Sequence, residues 1–295
     1  MEKVLNNNAR AFTLLILLAL IWGTSFILME RGLRVFSPGE LGSLRVASAA
    51  LFLLPIALVK IKGLHSAHYV KLFLSGMMGI FFPAFLFAWA QTNLEGSVTG
   101  ILNSLTPICT LLVGVILFHQ QFRRRSIIGI VLGLIGTVIL MLANSEDQVG
   151  GINAFPLLVI LACVLYATNL NFIKYKITEL EALTITSVSL MLIGPLAVVY
   201  LFGFTSFIQK FETNEGAWAA FGYILLLGFM STSLATILFN KLVKISSPLY
   251  TSSVTYLIPV VAVLWGLFDG EQLYTGHFTG MAAIIGGVYL ANRKF

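Results

Sequence analysis

Charge is what this chain has least of. Only 10% of its 295 residues are Asp, Glu, Lys or Arg, against 58% that are hydrophobic, with a mean hydropathy of +0.94. A soluble domain carries roughly 25% charged residues, so this composition cannot clothe a water-facing surface, and lipid is the expected solvent. Cysteine is nearly absent too: Cys109 and Cys163 both sit inside apolar runs, which excludes a disulfide framework and reads as packing. Four histidines, His65, His68, His119 and His277, stand at the ends of apolar runs and form no metal-ligand cluster. The sequence contains no HExxH, no GxSxG, no acidic prenyl-diphosphate motif and no phosphate-binding glycine loop with lysine. Catalytic residues, a bound metal and a cofactor are therefore not expected, and the chain does not read as an enzyme. No loop is long enough for a nucleotide-binding domain, which excludes an ATP-driven pump. The net charge of +6 is scattered between apolar runs, not gathered into a patch, so nucleic acid is not an expected partner.

What is present is a series of apolar runs of spanning length. A transmembrane helix needs about 20 mainly apolar residues. Ten stretches qualify as expected spans, over 11–29, 41–59, 70–90, 97–118, 126–143, 155–173, 182–204, 217–239, 248–268 and 276–291. The first of them lacks a small-residue cleavage site and reads as a span, not a removed signal peptide. Loop charge sets the orientation. With both termini in the cytoplasm, that side holds fourteen of the eighteen basic residues: Lys3, Arg10, Lys60, Lys62, Lys71, Arg123, Arg124, Arg125, Lys174, Lys176, Lys241, Lys244, Arg293 and Lys294. The outer side holds Arg31, Arg34 and Lys210, and Arg45 alone falls within a span. A bias of that size follows the positive-inside rule.

The chain is also written twice. "LRVASAALFLLPIAL" at 44–58 aligns with "TITSVSLMLIGPLAV" at 184–198, matching Pro55 to Pro195. "NSLTPICTLLVGVIL" at 103–117 aligns with "TYLIPVVAVLWGLFD" at 255–269, matching Pro107 to Pro259 and Gly114 to Gly266. Gly129 matches Gly280, and "WGTSF" at 22–26 lies over "YATNL" at 166–170. Residues 1–148 and 149–295 are thus expected to be two five-helix units. Five is odd, so the second unit enters the membrane from the opposite side, giving the inverted repeat that secondary transporters use for alternating access.

Proline inside a spanning helix removes a donor and clashes one turn back. Pro107 and Pro259 are expected to kink the fourth and ninth helices and to free the carbonyls of Asn103 and Thr255 toward a cavity. Arg45, about two turns into the second span, could hold a substrate carboxylate in a planar fork, or pair with Glu30 or Glu40 instead. No carboxylate lies mid-span, which argues against proton-coupled export of cations. Trp22, Thr24, Gln91, Asn103, Tyr166, Asn169, Thr255 and Tyr256 complete the candidate substrate-binding set with Arg45. Trp22, Asn103, Tyr166 and Tyr256 lead it because they recur at related places in the two copies. An aromatic-walled cavity with amides suits a small amphipathic solute. The glycines at 129, 133 and 136, and at 276, 280, 286 and 287, read as close helix packing between the fifth and tenth spans.

The "IWGTSF" of the first span, the Arg of "SLRVASAA", the segments "LNSLTPICTLLVGVILFHQQF" and "TYLIPVVAVLWGLFDGEQL", and the glycine-rich fifth and tenth spans resemble the drug/metabolite transporter superfamily, EamA type, over nearly the whole chain. That resemblance implies export of amino acids or other small metabolites across the bacterial inner membrane. It implies a basket in which helices one to four and six to nine surround a central cavity, with the fifth and tenth at the back. Many members of the family carry Gly-Glu after both the fourth and the ninth spans; here Gly270-Glu271 keeps it and His119-Gln120 does not. A monomer in the lipid bilayer with a small-molecule substrate is expected. Two alternatives stand beside it. One is a nucleotide-sugar or phosphometabolite exchanger, which calls for more than one buried Lys or Arg. The other is a membrane receptor that does not transport.

Overall fold

A computed structural model describes residues 2–94, 96–121, 124–143, 154–268 and 275–292. Among these residues every regular element is helical. Helix α1 runs over Glu2–Leu33 and α2 over Pro38–Lys60. The start of α2 is written locally. Ser37 accepts from Glu40 N and donates its own backbone N–H to Glu40 Oε2 at 2.7 Å, a capping box with proline at the first helical position. Helix α3 spans Ser66–Ala90, α4 Gly96–Asn103, α5 Thr106–Phe118 and α6 Arg124–Ala143. In the second half, α7 is Phe155–Lys176, α8 Ala182–Phe204 and α9 Ala217–Ile245. They are followed by α10 (Pro248–Ser252), α11 (Val254–Phe268) and α12 (Thr275–Asn292).

Helix covers each of the ten apolar stretches, but not always in one piece. The stretch expected at 97–118 breaks at Ser104–Leu105, between α4 and α5, and that at 248–268 breaks at Ser253. Two others carry a widened turn of π-helix: Met77–Phe81 within α3 and Leu227–Leu234 within α9. Among the described residues, seven helices are long and apolar enough to cross a membrane by length and composition: Arg10–Leu33, Pro38–Gly63, Ser66–Ala90, Val98–Phe118, Phe155–Lys176, Ala182–Phe204 and Ala217–Ile245. Shorter apolar stretches lie at Ile127–Gly136 and Phe278–Gly287, inside α6 and α12.

The surface is apolar, and the hydrophobic interior admits many small polar side chains. Leu51, Val59, Ile116, Val199, Phe204 and Trp218 are exposed, whereas Ser43, Thr110, Asn171, Ser187, Thr251 and Ser252 are fully buried. Serine, threonine and asparagine knit the helices from inside: Ser189 donates to Leu72 O at 2.7 Å, Asn171 to Thr110 O at 3.2 Å, and Ser233 to Ala49 O at 3.2 Å. Small residues set the closest approaches. Gly194 of α8 faces Ala50 of α2 so tightly that an added Cβ would lie 2.6 Å from it. Between α6 and α12 the backbones themselves touch. A Cβ on Gly136 would meet Ile284 N at 2.7 Å and Gly280 O at 2.8 Å, and one on Gly287 would meet Gly133 N at 2.5 Å.

Charged side chains collect at helix ends. Lys60 pairs with Glu181 at 3.2 Å, and Glu179 takes Lys71 at 3.1 Å and His68 Nε2 at 3.2 Å. Lys174 donates to Val243 O at 3.0 Å, and Lys244 reaches back to Ile177 O. At the ends of α1 and α2, Lys210 binds Glu40 at 2.6 Å and Val35 O at 2.9 Å.

Two measurements check this packing. Gly287→Val puts atoms where Gly133 and Gly129 backbone already lies, and overpacking of this kind costs about 1–3 kcal/mol; a lower melting temperature in detergent is expected, while Gly203→Val, whose Cβ meets nothing within 4 Å, leaves it unchanged. Backbone hydrogen bonding at Glu179, followed by the Lys71 ammonium, holds the Glu179 carboxyl at about 2, below the ordinary 4.5. Its folded value is depressed, so its contribution is present above 4.5 and is lost as pH falls toward 2. The wild-type melting temperature should therefore fall more steeply across that window than that of Glu179→Gln.

Candidate functional site

On α1 the residues Trp22, Ser25, Phe26 and Met29 recur at spacings of three and four, so they share one face. That face borders a cavity of about 880 Å³, its open mouth included, which other helices complete. Arg45 comes from α2, Tyr166 and Asn169 from α7, Asn103 from α4 and Thr106 from α5. The two π-helical turns supply Gly79 and Ile80 on one side and Ser231 and Thr232 on the other. Phe239 and Asn240 of α9, Ser252 of α10 and Thr255 of α11 close the wall.

The irregular backbone explains why these groups face inward. A π-turn shifts the hydrogen-bond register and leaves carbonyls to be satisfied otherwise. Ser231 O receives the indole N–H of Trp22 at 3.0 Å, and Trp22 then packs on Phe239 with ring centroids 5.1 Å apart. Thr232 donates its hydroxyl to Leu227 O, five residues back, at 3.5 Å, which leaves its oxygen free to accept. On the other π-turn, Gly79 is required by proximity: a Cβ there would overlap the Asn169 amide, which is itself held by Ser75 Oγ at 2.7 Å. Phe87 and Tyr166 stack at 6.0 Å.

Arg45 is 9% exposed. Its Nε donates to Thr232 Oγ1 at 2.7 Å, and one terminal nitrogen lies 3.9 Å from Met29 Sδ. Neither carboxylate offered as its partner by the sequence serves it. Glu30 pairs with Arg34 at 3.3 Å, and Glu40, 2% exposed, is taken by Lys210 and Ser37 N. No carboxylate of the described residues forms an ion pair with Arg45. The cavity thus contains a buried cation whose oxygen partner is a neutral hydroxyl.

The structure brings together six of the nine expected substrate-binding residues: Trp22, Arg45, Asn103, Tyr166, Asn169 and Thr255 line the cavity. It leaves three outside. Thr24 points away from the Trp22 face; its hydroxyl donates to Leu20 O at 2.8 Å and accepts from the indole of Trp265, a residue 38% exposed. Tyr256 is fully buried against α6, where its ring fits over Gly133 and its hydroxyl donates to Ile130 O at 3.1 Å. Gln91 follows the last residue of α3, with both side-chain polar atoms buried and unpartnered, beside Gly96. Pro107 does not kink a continuous helix: it is the second residue of α5, immediately after the break, where a missing N–H costs nothing. The carbonyl it leaves free, that of Asn103, accepts from Thr106 Oγ1 at 2.7 Å. Pro259 does lie inside α11 and deprives Thr255 O of its helical donor. Ser231, Thr232, Met29 and Gly79 were not anticipated; a run of small hydroxyl residues, "STS" at 231–233 in an otherwise apolar helix, is the signal that marks two of them. Asp269, Glu271 and Glu95 lie outside the described residues.

The model of the EamA-like transporter family matches this sequence twice, over residues 9–142 and again over 155–293. An uncharacterized transporter of Archaeoglobus fulgidus is 23% identical over 97% of this chain and 99% of its own. The uncharacterized inner membrane transporter YedA of Escherichia coli is 22% identical, covering 95% and 89%. A probable amino-acid metabolite efflux pump of Salmonella typhimurium is 24% identical, covering 94% and 93%. One crystal structure superposes with a TM-score of 0.74 over 96% of both chains, at 17% sequence identity, which shows the shared fold.

Thr232→Val removes the oxygen that Arg45 holds. A hydrogen bond to a charged group contributes about 1.5–3 kcal/mol, so a loss of that order in unfolding free energy is expected in detergent, while Thr24→Val, outside the cavity, should leave solute binding unaltered.

Proposed function

The chain belongs to the EamA-like transporter family, and on that premise we propose that it exports small organic metabolites, amino acids or related compounds, by alternating access. Like its family it is a multi-pass transporter of the cytoplasmic membrane and not an enzyme. In this reading ten helices cross the bilayer as two inverted five-helix repeats, residues 1–148 and 149–295, with both termini cytoplasmic and the monomer as the working unit. The double match of the family model supports the duplication. So does the recurrence of a π-turn in the third stretch of each half, Met77–Phe81 and Leu227–Leu234, and of a helix break in the fourth. Counterpart helices also meet one another, α2 with α8 and α6 with α12, as elements straddling a two-fold axis do.

One observation carries the choice of substrate: Arg45 is buried in the cavity with no carboxylate partner. An unpaired ion out of water is costly, and a planar guanidinium matches a carboxylate in two-point geometry. A substrate carboxylate supplies the missing charge. Phosphorylated or nucleotide-linked solutes call for several cations, whereas Arg45 is the basic residue in the wall.

Proteoliposomes loaded with a panel of labelled amino acids test this directly. Arg45→Gln should weaken transport of carboxylate substrates by about 10–100-fold, the loss of 1.5–3 kcal/mol, and Arg45→Lys should recover part of it. Unchanged affinity and rate in Arg45→Gln would remove the carboxylate reading.

A further inference from the structure

Asn240 lies near the end of α9, lines the cavity and is 3% exposed. Its Nδ2 donates to Thr186 Oγ1 at 2.8 Å. The Thr186 hydroxyl has already given its proton to Ala182 O at 3.0 Å, so its oxygen can only accept. That fixes which way the Asn240 amide faces. Its oxygen, Oδ1, has no hydrogen-bond partner. Buried polar atoms in native proteins are generally satisfied, and an unpartnered acceptor on a residue that borders the cavity is a place for a donor brought from outside.

The position of Asn240 says what that donor belongs to. Thr232, which holds Arg45, is eight residues earlier in the same helix, so the two lie about 12 Å apart along its axis. One functional group of a solute cannot reach both. A five-carbon chain extended from carboxylate to terminal nitrogen spans roughly 6 Å, and a hydrogen bond of about 3 Å at each end completes the distance. Trp22 and Phe239 offer an apolar wall to such a chain.

We propose that Asn240 is a second recognition point, accepting a hydrogen bond from an N–H or O–H at the far end of the substrate from its carboxylate. The substrate class is then an elongated carboxylate with a terminal donor, such as an ω-amide, an ω-amine or an ω-hydroxyl. This rests on Arg45 as the carboxylate anchor.

The test compares L-glutamine with L-methionine, which match in chain length but differ in the terminal donor, as competitors for labelled L-glutamine uptake by the full-length protein in proteoliposomes. Wild type should prefer L-glutamine by tenfold or more. Asn240→Leu should bring L-glutamine to the level of L-methionine. Thr186→Val, which releases the amide without removing it, should shrink the preference. The readout is a ratio, so a fall in folded protein alone does not move it. If wild type shows no preference, or Asn240→Leu keeps it, Asn240 is not a recognition point and the carboxylate reading stands. If neither amino acid is taken up or competes, both fall together.

Discussion

Hydrocarbon offers a backbone no hydrogen bonds, and this constraint organises the molecule. Irregular main chain at membrane depth survives only where protein or a cavity can meet it. Four helical stretches here are irregular: two carry π-turns and two are broken. All four contribute to the cavity, through Gly79 and Ile80, Asn103 and Thr106, Ser231 and Thr232, and Ser252 and Thr255. Of the continuous helices, α1, α2 and α7 also line it, whereas no described residue of α6, α8 or α12 does. The freed groups are answered locally, by the Trp22 indole on Ser231 O and the Thr106 hydroxyl on Asn103 O. The cavity is therefore not carved out of a finished bundle. It is the side toward which each departure from regular helix is turned.

The same logic sorts the charges. Glu30, Glu40, Glu179 and Glu181 each meet Lys, Arg or His at a helix end, where water softens the cost of an ion. Arg45 is left inside with a threonine hydroxyl. Pairing it with Glu40, the nearest acid in sequence within its own helix, is prevented because Glu40 already closes the capping box of α2 and binds Lys210. A charge kept apart from the carboxylates of the described residues is available to a foreign one.

Composition made the all-helical, membrane-spanning character legible, because a shortage of charge and long apolar runs survive in one dimension. The site was legible where it followed helical spacing and not otherwise. Trp22 borders the cavity and Thr24 does not, since two residues along a helix turn about 200° and the pair cannot share a wall; Ser25, Phe26 and Met29 share the face of Trp22. Thr255 and Tyr256 divide in the same way, one facing the cavity and the other Gly133. The π-turn of α3 carries no sequence mark, so Gly79 came only with the structure, whereas the "STS" run was the one signal for Ser231 and Thr232. Pro107 misled for a related reason: the chain breaks before it, so the proline begins a helix where a kink was expected.

The alternating-access cycle we propose needs parts that hold and parts that bend, and the helix contacts here are of two different chemistries. At α6 and α12 backbone lies against backbone through Gly133, Gly136, Gly280 and Gly287, with no side chain between to change rotamer. Such a contact transmits force without yielding. The interrupted helices are the opposite case. In two of them a side chain already answers a backbone carbonyl, Trp22 at Ser231 O and Thr106 at Asn103 O, and a side chain can rotate to a new partner at small cost. Thr232 joins the two roles. Its hydroxyl donates to Leu227 O across the π-turn and accepts from Arg45, so one oxygen atom joins the cavity's cation to the irregular turn of α9.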